Sequence, residues 1–216
     1  VLGVNLRKAC AIIVGKTYTP EYELGTLTFN GRKGPTMNPW SPERHAGGSR
    51  GGSAAAVAAG MLPLADGSDS GGSIRYPASF CNLVGLRPSA GRVPSGRLGD
   101  VWSPHGVLGP IARNVRDTGL LLSAISGFDM RAPLSVEAPT AAYTDIKPYN
   151  LEGLRIGWSR TIGGLPIDTE VTCVLEDLRG RLTDRGCIIE EWEPEFENID
   201  RCWEIIELFQ FFSQYQ

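Results

Sequence analysis

Four serines, Ser49, Ser53, Ser70 and Ser73, sit in two glycine-rich blocks of HAGGSRGGSAAAVAAGMLPLADGSDSGGSIRYPASFC, residues 45–81. A hydroxyl beside several backbone N–H groups is the arrangement that acyl transfer requires: a nucleophile about 3 Å from donors that stabilise a developing oxyanion. In DSGGS, residues 69–73, consecutive N–H groups of a glycine-rich turn entering a helix can converge on one point as an anion-binding nest. Ser73, at the expected helix start, would hold its hydroxyl beside those donors. Turns of this composition are also ordinary structural loops, and a flexible linker is a third reading. Both blocks lead into helix-like segments, which favours a rigid scaffold.

Two other motifs fail on context. GKT at 15–17 follows an apolar run, as a phosphate-binding loop would, but that loop needs glycine at position 10, where the chain has Cys10. GGSRG at 47–51 matches the G-x-S-x-G nucleophile elbow, with Ser49 as nucleophile and His105 as the available base. The elbow needs a hydrophobic strand before it, and the preceding residues are NPWSPERHA.

The elements that must position the serines follow from periodicity. Leu2, Leu6 and Ala9 have helical spacing, and AIIV at 11–14 reads as a buried strand. Residues 15–46 are rich in Pro, Gly and Thr and read as an irregular, functional segment. A helix of small residues is expected from Ser53 to Met61, then a strand at 63–67, then a helix from Ser73 to Phe80. Residues 85–110 are again rich in Gly and Pro. Asn114 followed by Asp117 marks the start of a helix to about residue 126. GLRIGW at 153–158 and CIIEEW at 187–192 read as strands. Val171, Val174, Leu175, Leu178 and Leu182 trace a helix between them, with Gly186 as its stop. Ile199, Cys202, Trp203 and Ile206 mark a last helix. This alternation predicts an α/β domain with a mixed central sheet covered by helices. We expect one partial domain over 1–216 with its core signature at 45–96, and both ends read as cuts through a larger domain.

Bulk properties narrow the function class. The net charge is −3 and no polybasic stripe points to nucleic acid. No apolar run is long enough to cross a membrane, and the start, VLGVNLRKACAIIVGKT, lacks a signal-peptide layout. Cys10, Cys81, Cys173, Cys187 and Cys202 are odd in number and contain no C-x-x-C pair. They read as reduced, mostly buried thiols, and the expected location is cytoplasmic. With His45 and His105 as the only histidines, no metal centre is expected.

Two Ser/Gly blocks bridged by one helix and one strand carry a resemblance. GGSRGGSAAAVAAGMLPLADGSDSGGSIRYPASFCNLVGLRPSAGRVPSG resembles the defining stretch of the amidase signature family almost end to end. The likeness continues upstream through AIIVGKTYTPEYELG and GPTMNPWSPERHAGGS, and downstream through GPIARNVRDTGLLLSAISG and LEGLRIGWSR. It implies the amidase signature fold and a serine nucleophile that attacks an amide or ester carbonyl to form an acyl-enzyme. By position Ser73 matches that nucleophile and Ser49 the bridging serine, which follows a cis peptide bond in the family. The N–H groups of Ser70, Gly71, Gly72 and Ser73 match the oxyanion hole, and Asp69 and Arg75 match flanking positions read as supports. The family's base is a neutral lysine that takes the proton of Ser73 through Ser49.

Two departures stand out. Arg50 occupies the place where many members have a second serine; it is counted among the supports, its guanidinium either altering the local field or pointing away into the sheet edge. The lysine has no match, because only 48 residues precede Ser49 and Lys8, Lys16 and Lys33 lie too near it. The leading reading is therefore an amide hydrolase. Its partners are a small-molecule amide and the remaining segments of the same enzyme, in the same chain or as separate chains; a homo-oligomer is compatible. The rival readings are a non-catalytic binding or assembly subunit, and a Ser-His-Asp hydrolase using Ser49. No organic cofactor is implied. The family acts on fatty, aryl and peptide amides, ureas and glutaminyl residues. Tyr18, Met37, Trp40 and Trp102 are candidates for lining a substrate pocket, or for simple packing.

Overall fold

The computed structural model describes residues 2–96, 102–137 and 143–215. These form two compact units, Val1–Ile146 and Lys147–Gln216. The first opens with helix α1 (Leu2–Lys8), whose Leu2 and Leu6 pack on a later helix. Residues 15–46, expected to be irregular, contain short antiparallel pairs: β1 (Phe29–Asn30) with β2 (Gly34–Pro35), and β3 (Met37–Asn38) with β4 (Ser41–His45). Next come α2 (Gly51–Ala58), β5 (Leu64–Asp69), α3 (Arg75–Phe80), β6 (Val84–Gly85), β7 (Val107–Ala112) and α4 (Val115–Ile125).

Strand β7 is the centre of a three-stranded antiparallel sheet of order β5-β7-β6. Its register sets Gly67 opposite Gly109, Asp69 opposite Val107, and Gly85 opposite Ile111. Paired glycines bring neighbouring layers close: a Cβ on Gly109 would collide with the Leu86 carbonyl oxygen. Helix α4 begins as expected, with Asn114 Oδ1 accepting from the Asp117 N–H at 2.9 Å, satisfying one of the orphan donors of the first turn. Its Leu121, Leu122 and Ile125 form a core with Val93, against which Leu2, Leu6, Leu64, Leu108 and Tyr143 pack. The small residues of α2 serve close approach, since Ala46, Ala54 and Cys81 form a second buried cluster. Burial pushes the Cys81 thiol up to about 11.

The second unit is a β-α-β crossover followed by a helix. Strands β8 (Arg155–Trp158) and β9 (Ile188–Glu191) are parallel, with Arg155 opposite Ile188, and α5 (Thr169–Asp184) connects them. The Asp168 side chain caps α5 by accepting from the Glu170 N–H at 2.8 Å, and Gly186 at φ +83° ends it, as the sequence predicts. Helix α6 spans Ile199–Tyr215. Glu193, just past β9, accepts from the backbone N–H groups of Arg160, Thr161 and Gly163 and from the Ser159 hydroxyl. These donors pull its carboxyl down to about 2.

The architecture is α/β with antiparallel and parallel pairing, as expected, but local expectations fail at residues 11–14 and at the cysteines. Residues 11–14 form no strand; Ile12 is 90% and Val14 72% exposed. A β-branched run supplies propensity, yet a strand needs a partner ladder, and none pairs with this run among the described residues. The Gly/Pro-rich segment from 85 to 110 runs from the end of β6 into β7, which a periodicity argument does not reveal because it reads VLGPIA, apolar throughout and interrupted by Gly and Pro. The cysteines are all free, but Cys10, Cys173 and Cys202 are exposed. Cys173 lies on α5, which buries no residue, so an apolar face did not guarantee burial. Among the described residues no helix is long and apolar enough to cross a membrane.

Two glycine-to-alanine substitutions should move stability in opposite directions. Gly109→Ala forces backbone to give way at the sheet centre, so it should cost about 1–3 kcal/mol and lower the melting temperature. At Gly180, inside α5, a Cβ meets nothing within 4 Å. Gly180→Ala should therefore gain about 0.5–1 kcal/mol through helix propensity, read by denaturant titration.

Candidate active site

Strand β5 ends on Asp69, and the turn that follows folds around this carboxylate. Asp69 is 0% exposed. Its Oδ1 accepts from the Gly72 N–H at 2.8 Å, and Oδ2 from the N–H groups of Ile74 at 3.2 Å and Arg75 at 3.3 Å. The Arg75 guanidinium closes on it in bidentate fashion, with Nε and Nη2 each at 3.0 Å. Arg87 approaches the carboxylate at 3.9 Å and donates to the Asp69 carbonyl at 2.8 Å. Burial alone would push this carboxyl up; Arg75 and the N–H groups of Gly72 and Ile74 outweigh it and hold it below the ordinary range.

This capture explains where the helix starts. The sequence predicts helix from Ser73, but α3 begins at Arg75, because the N–H groups of Ile74 and Arg75 are folded back onto Asp69. Gly72 makes the reversal at φ +112°, with the Tyr76 ring packed where a side chain would otherwise stand. Ser73 is half-buried at the end of this turn. Of the four N–H groups matched to an oxyanion hole, that of Gly72 is therefore taken by Asp69. Those of Ser70, Gly71 and Ser73 meet no protein acceptor among the described residues.

The second block joins the first through the main chain. The peptide bond between Gly48 and Ser49 is cis, at the place where the resemblance implies one. Gly48 is required because the 27–28 backbone passes over it: a Cβ there would lie 2.7 Å from the Leu27 carbonyl carbon. Ser49 is 2% exposed. The next N–H, of Arg50, donates to the Ser73 carbonyl at 3.3 Å, so the two serine-bearing segments are hydrogen-bonded neighbours. Thr28 completes the junction: its hydroxyl donates to the Ser49 carbonyl at 3.2 Å and accepts from the Gly51 N–H at 2.9 Å. Helix α2 has no side-chain cap of its own from Arg50, so Thr28 caps it from another segment.

Thr28 and Arg87 were not singled out by the sequence. Thr28 lies in TLTFN, which matches no motif, and Arg87 lies inside the signature stretch without a distinguishing neighbour. The Arg50 side chain, expected to support the site, is buried and ion-paired with Glu23. Of the candidate pocket residues, Trp40 is anchored by its indole N–H on the Cys81 carbonyl at 2.9 Å. The Tyr18 backbone lies against Gly52, three residues beyond Ser49. Met37 sits in β3 opposite His45. The strand before Ser49, SPERH of β4, is polar and carries no buried residue, unlike the apolar strand that a hydrolase elbow needs. No group of three or more metal-ligating side chains is assembled among the described residues.

The Amidase family model matches residues 2–216. The chain is 40% identical to an acylamidase of Rhodococcus erythropolis, covering 98% of this chain and 44% of that protein. It is 44% identical to a glutamyl-tRNA(Gln) amidotransferase subunit of Thermosynechococcus vestitus, over 87% of this chain and 39% of that one. Among solved structures, a bacterial aryl acylamidase of the amidase signature enzymes superposes with a TM-score of 0.81 at 34% identity, covering 89% of this chain and 39% of that one. The chain belongs to the amidase signature family and has its fold. It spans less than half the length of these relatives.

Asp69→Asn tests the organising role of the carboxylate. It leaves the guanidinium groups and buried N–H donors without their anion, so it should cost about 3–5 kcal/mol. The Asp69 carboxyl is held below its unfolded value of about 3.9. Its contribution is therefore complete above that pH and lost as pH falls through the lower, folded value. Thermal melts from pH 7 to 2 should show a shallower acid decline in the variant than in the parent.

Proposed function

We propose that the chain carries the nucleophile and proton-bridge half of a serine amidohydrolase acting on linear amides. The observation that carries this reading is the turn drawn onto Asp69. It leaves the N–H groups of Ser70, Gly71 and Ser73 without protein acceptors among the described residues, while its Ser73 is tied through Arg50 to the segment bearing Ser49. Membership of a family whose relatives include acylamidases supports the same reaction class.

In this mechanism the Ser73 oxygen attacks the amide carbonyl carbon, and its proton passes by way of Ser49 to a base. The carbonyl electrons move onto oxygen, where the N–H groups of Ser70, Gly71 and Ser73 stabilise the charge. Collapse breaks the C–N bond as the relay returns the proton to nitrogen, since an amide nitrogen leaves poorly unless protonated. Water, deprotonated by the same relay, then cleaves the acyl ester and restores Ser73. Asp69, Arg75 and Arg87 hold the loop and move no proton. The base is a lysine, as the resemblance implies. No hydrogen bond links Lys8, Lys16 or Lys33 to either serine among the described residues, and we assign the base to residues beyond these 216, in the same or an associated chain. The partners are the amide and those residues, and the location is cytoplasmic.

A fluorophosphonate probe applied to the full-length protein should label Ser73, located by peptide mapping, and Ser73→Ala should abolish the label. Ser49→Ala should slow labelling by roughly 10²–10⁴-fold, the usual range for losing a proton-transfer partner. A label on Ser49 that depends on His105 would instead support the triad hydrolase. A folded full-length protein that takes no label would support the non-catalytic reading.

A further inference from the structure

Arg50 is more elaborately held than a neighbour of Ser49 needs to be. It is 8% exposed, and its guanidinium makes a bidentate pair with Glu23, Nη1 to Oε1 at 2.9 Å and Nη2 to Oε2 at 2.7 Å. Nη2 also donates to the Ser68 hydroxyl on β5. Its Nε is buried with no hydrogen-bond partner among the described residues. The stem crosses β5 where the strand has no side chain: a Cβ on Gly67 would lie 2.8 Å from Arg50 Cγ. The charged groups facing it are Glu23 from the 20–24 turn and Asp66 from β5.

Desolvating a guanidinium is costly, and pairing it with Glu23, whose side chain is 46% exposed, repays little of that cost in a solvent-screened setting. Stability alone therefore does not account for the pair; geometry does. Glu23 and Tyr22 have φ of +61° and +56°, a conformation that persists only where surroundings impose it. The Arg50 fork imposes it at Glu23. At the other end of the same residue, the Arg50 N–H holds the Ser73 carbonyl at 3.3 Å. One residue thus grips the 20–24 turn with its side chain, β5 through Ser68, and the nucleophile's segment with its backbone.

We propose that Arg50 and Glu23 are positioning residues for the reaction, coupling the 20–24 turn to the Ser49–Ser73 junction. This rests on the reading of Ser73 as nucleophile for its catalytic consequence, and on geometry alone for the coupling. A turn carrying exposed Tyr22 and Leu24 is thereby linked to the alignment of the serines, and a ligand that moves the turn moves Ser73.

The test combines amide hydrogen exchange with fluorophosphonate labelling on the full-length protein. Glu23→Gln keeps the shape and removes the charge. Exchange should accelerate about tenfold or more in peptides covering 20–24 and in those covering 70–76 together, while α4 exchanges as before. Ser73 labelling should fall by a similar factor. Glu23→Asp, which keeps the carboxylate, should recover part of both effects; Arg50→Lys, which cannot form the two-pronged pair, should resemble Glu23→Gln. Acceleration confined to 20–24 overturns the proposal, as does uniform acceleration that includes α4, which marks global loss of stability. If the parent protein takes no label on Ser73, the hydrolase reading fails and the exchange pattern still decides the coupling.

Discussion

The carboxylate of Asp69, fully out of solvent at the end of β5, gathers the N–H groups of Gly72, Ile74 and Arg75 and the guanidinium of Arg75. A buried anion with these partners is stable only when all of them converge, so it dictates the path of the chain from strand to helix. The delayed start of α3, the reversal at Gly72 and the N–H groups beside it that meet no protein acceptor among the described residues follow from that one convergence. The second serine block depends on it indirectly, because the carbonyl that receives the Arg50 N–H belongs to Ser73.

Much of the architecture was legible from the chain alone. The Asn114 and Asp117 pair, the apolar stripe of α5 and the stop at Gly186 each have a local physical cause that composition and spacing display. Strand β7 was not legible: its burial against neighbours on both sides removes the alternation that marks a half-exposed strand. The run at 11–14 failed for the opposite reason, because its pattern was right and its partner was absent among the described residues.

Side-chain roles that depend on distant segments were harder still. Thr28 reaches Ser49 and Gly51 from more than twenty residues upstream, and a lone threonine before a strand carries no signal for that. Arg50 illustrates an intermediate case. Its position marked it as unusual, but whether its charge altered the local field or pointed away into the sheet edge was not decided by the sequence, and the fold places it on Glu23 and Ser68. For Asp69 and Arg75, read as supports from the resemblance, the sequence carried no sign that the carboxylate gathers main-chain N–H groups.

That last distinction has a wider meaning for how such a loop diversifies. The Asp69 carboxylate reads backbone N–H groups at 72, 74 and 75, and backbone is the same whatever side chain it bears. The shape of the turn is thus written in a strand residue outside it, leaving the side chain at Ser70, for example, outside the set of groups that fixes the path. A scaffold built this way separates the path of the turn from side chains such as that of Ser70. A change of side chain at Ser70 leaves the groups that fix the turn in place, whereas one at Gly72 meets the Tyr76 ring.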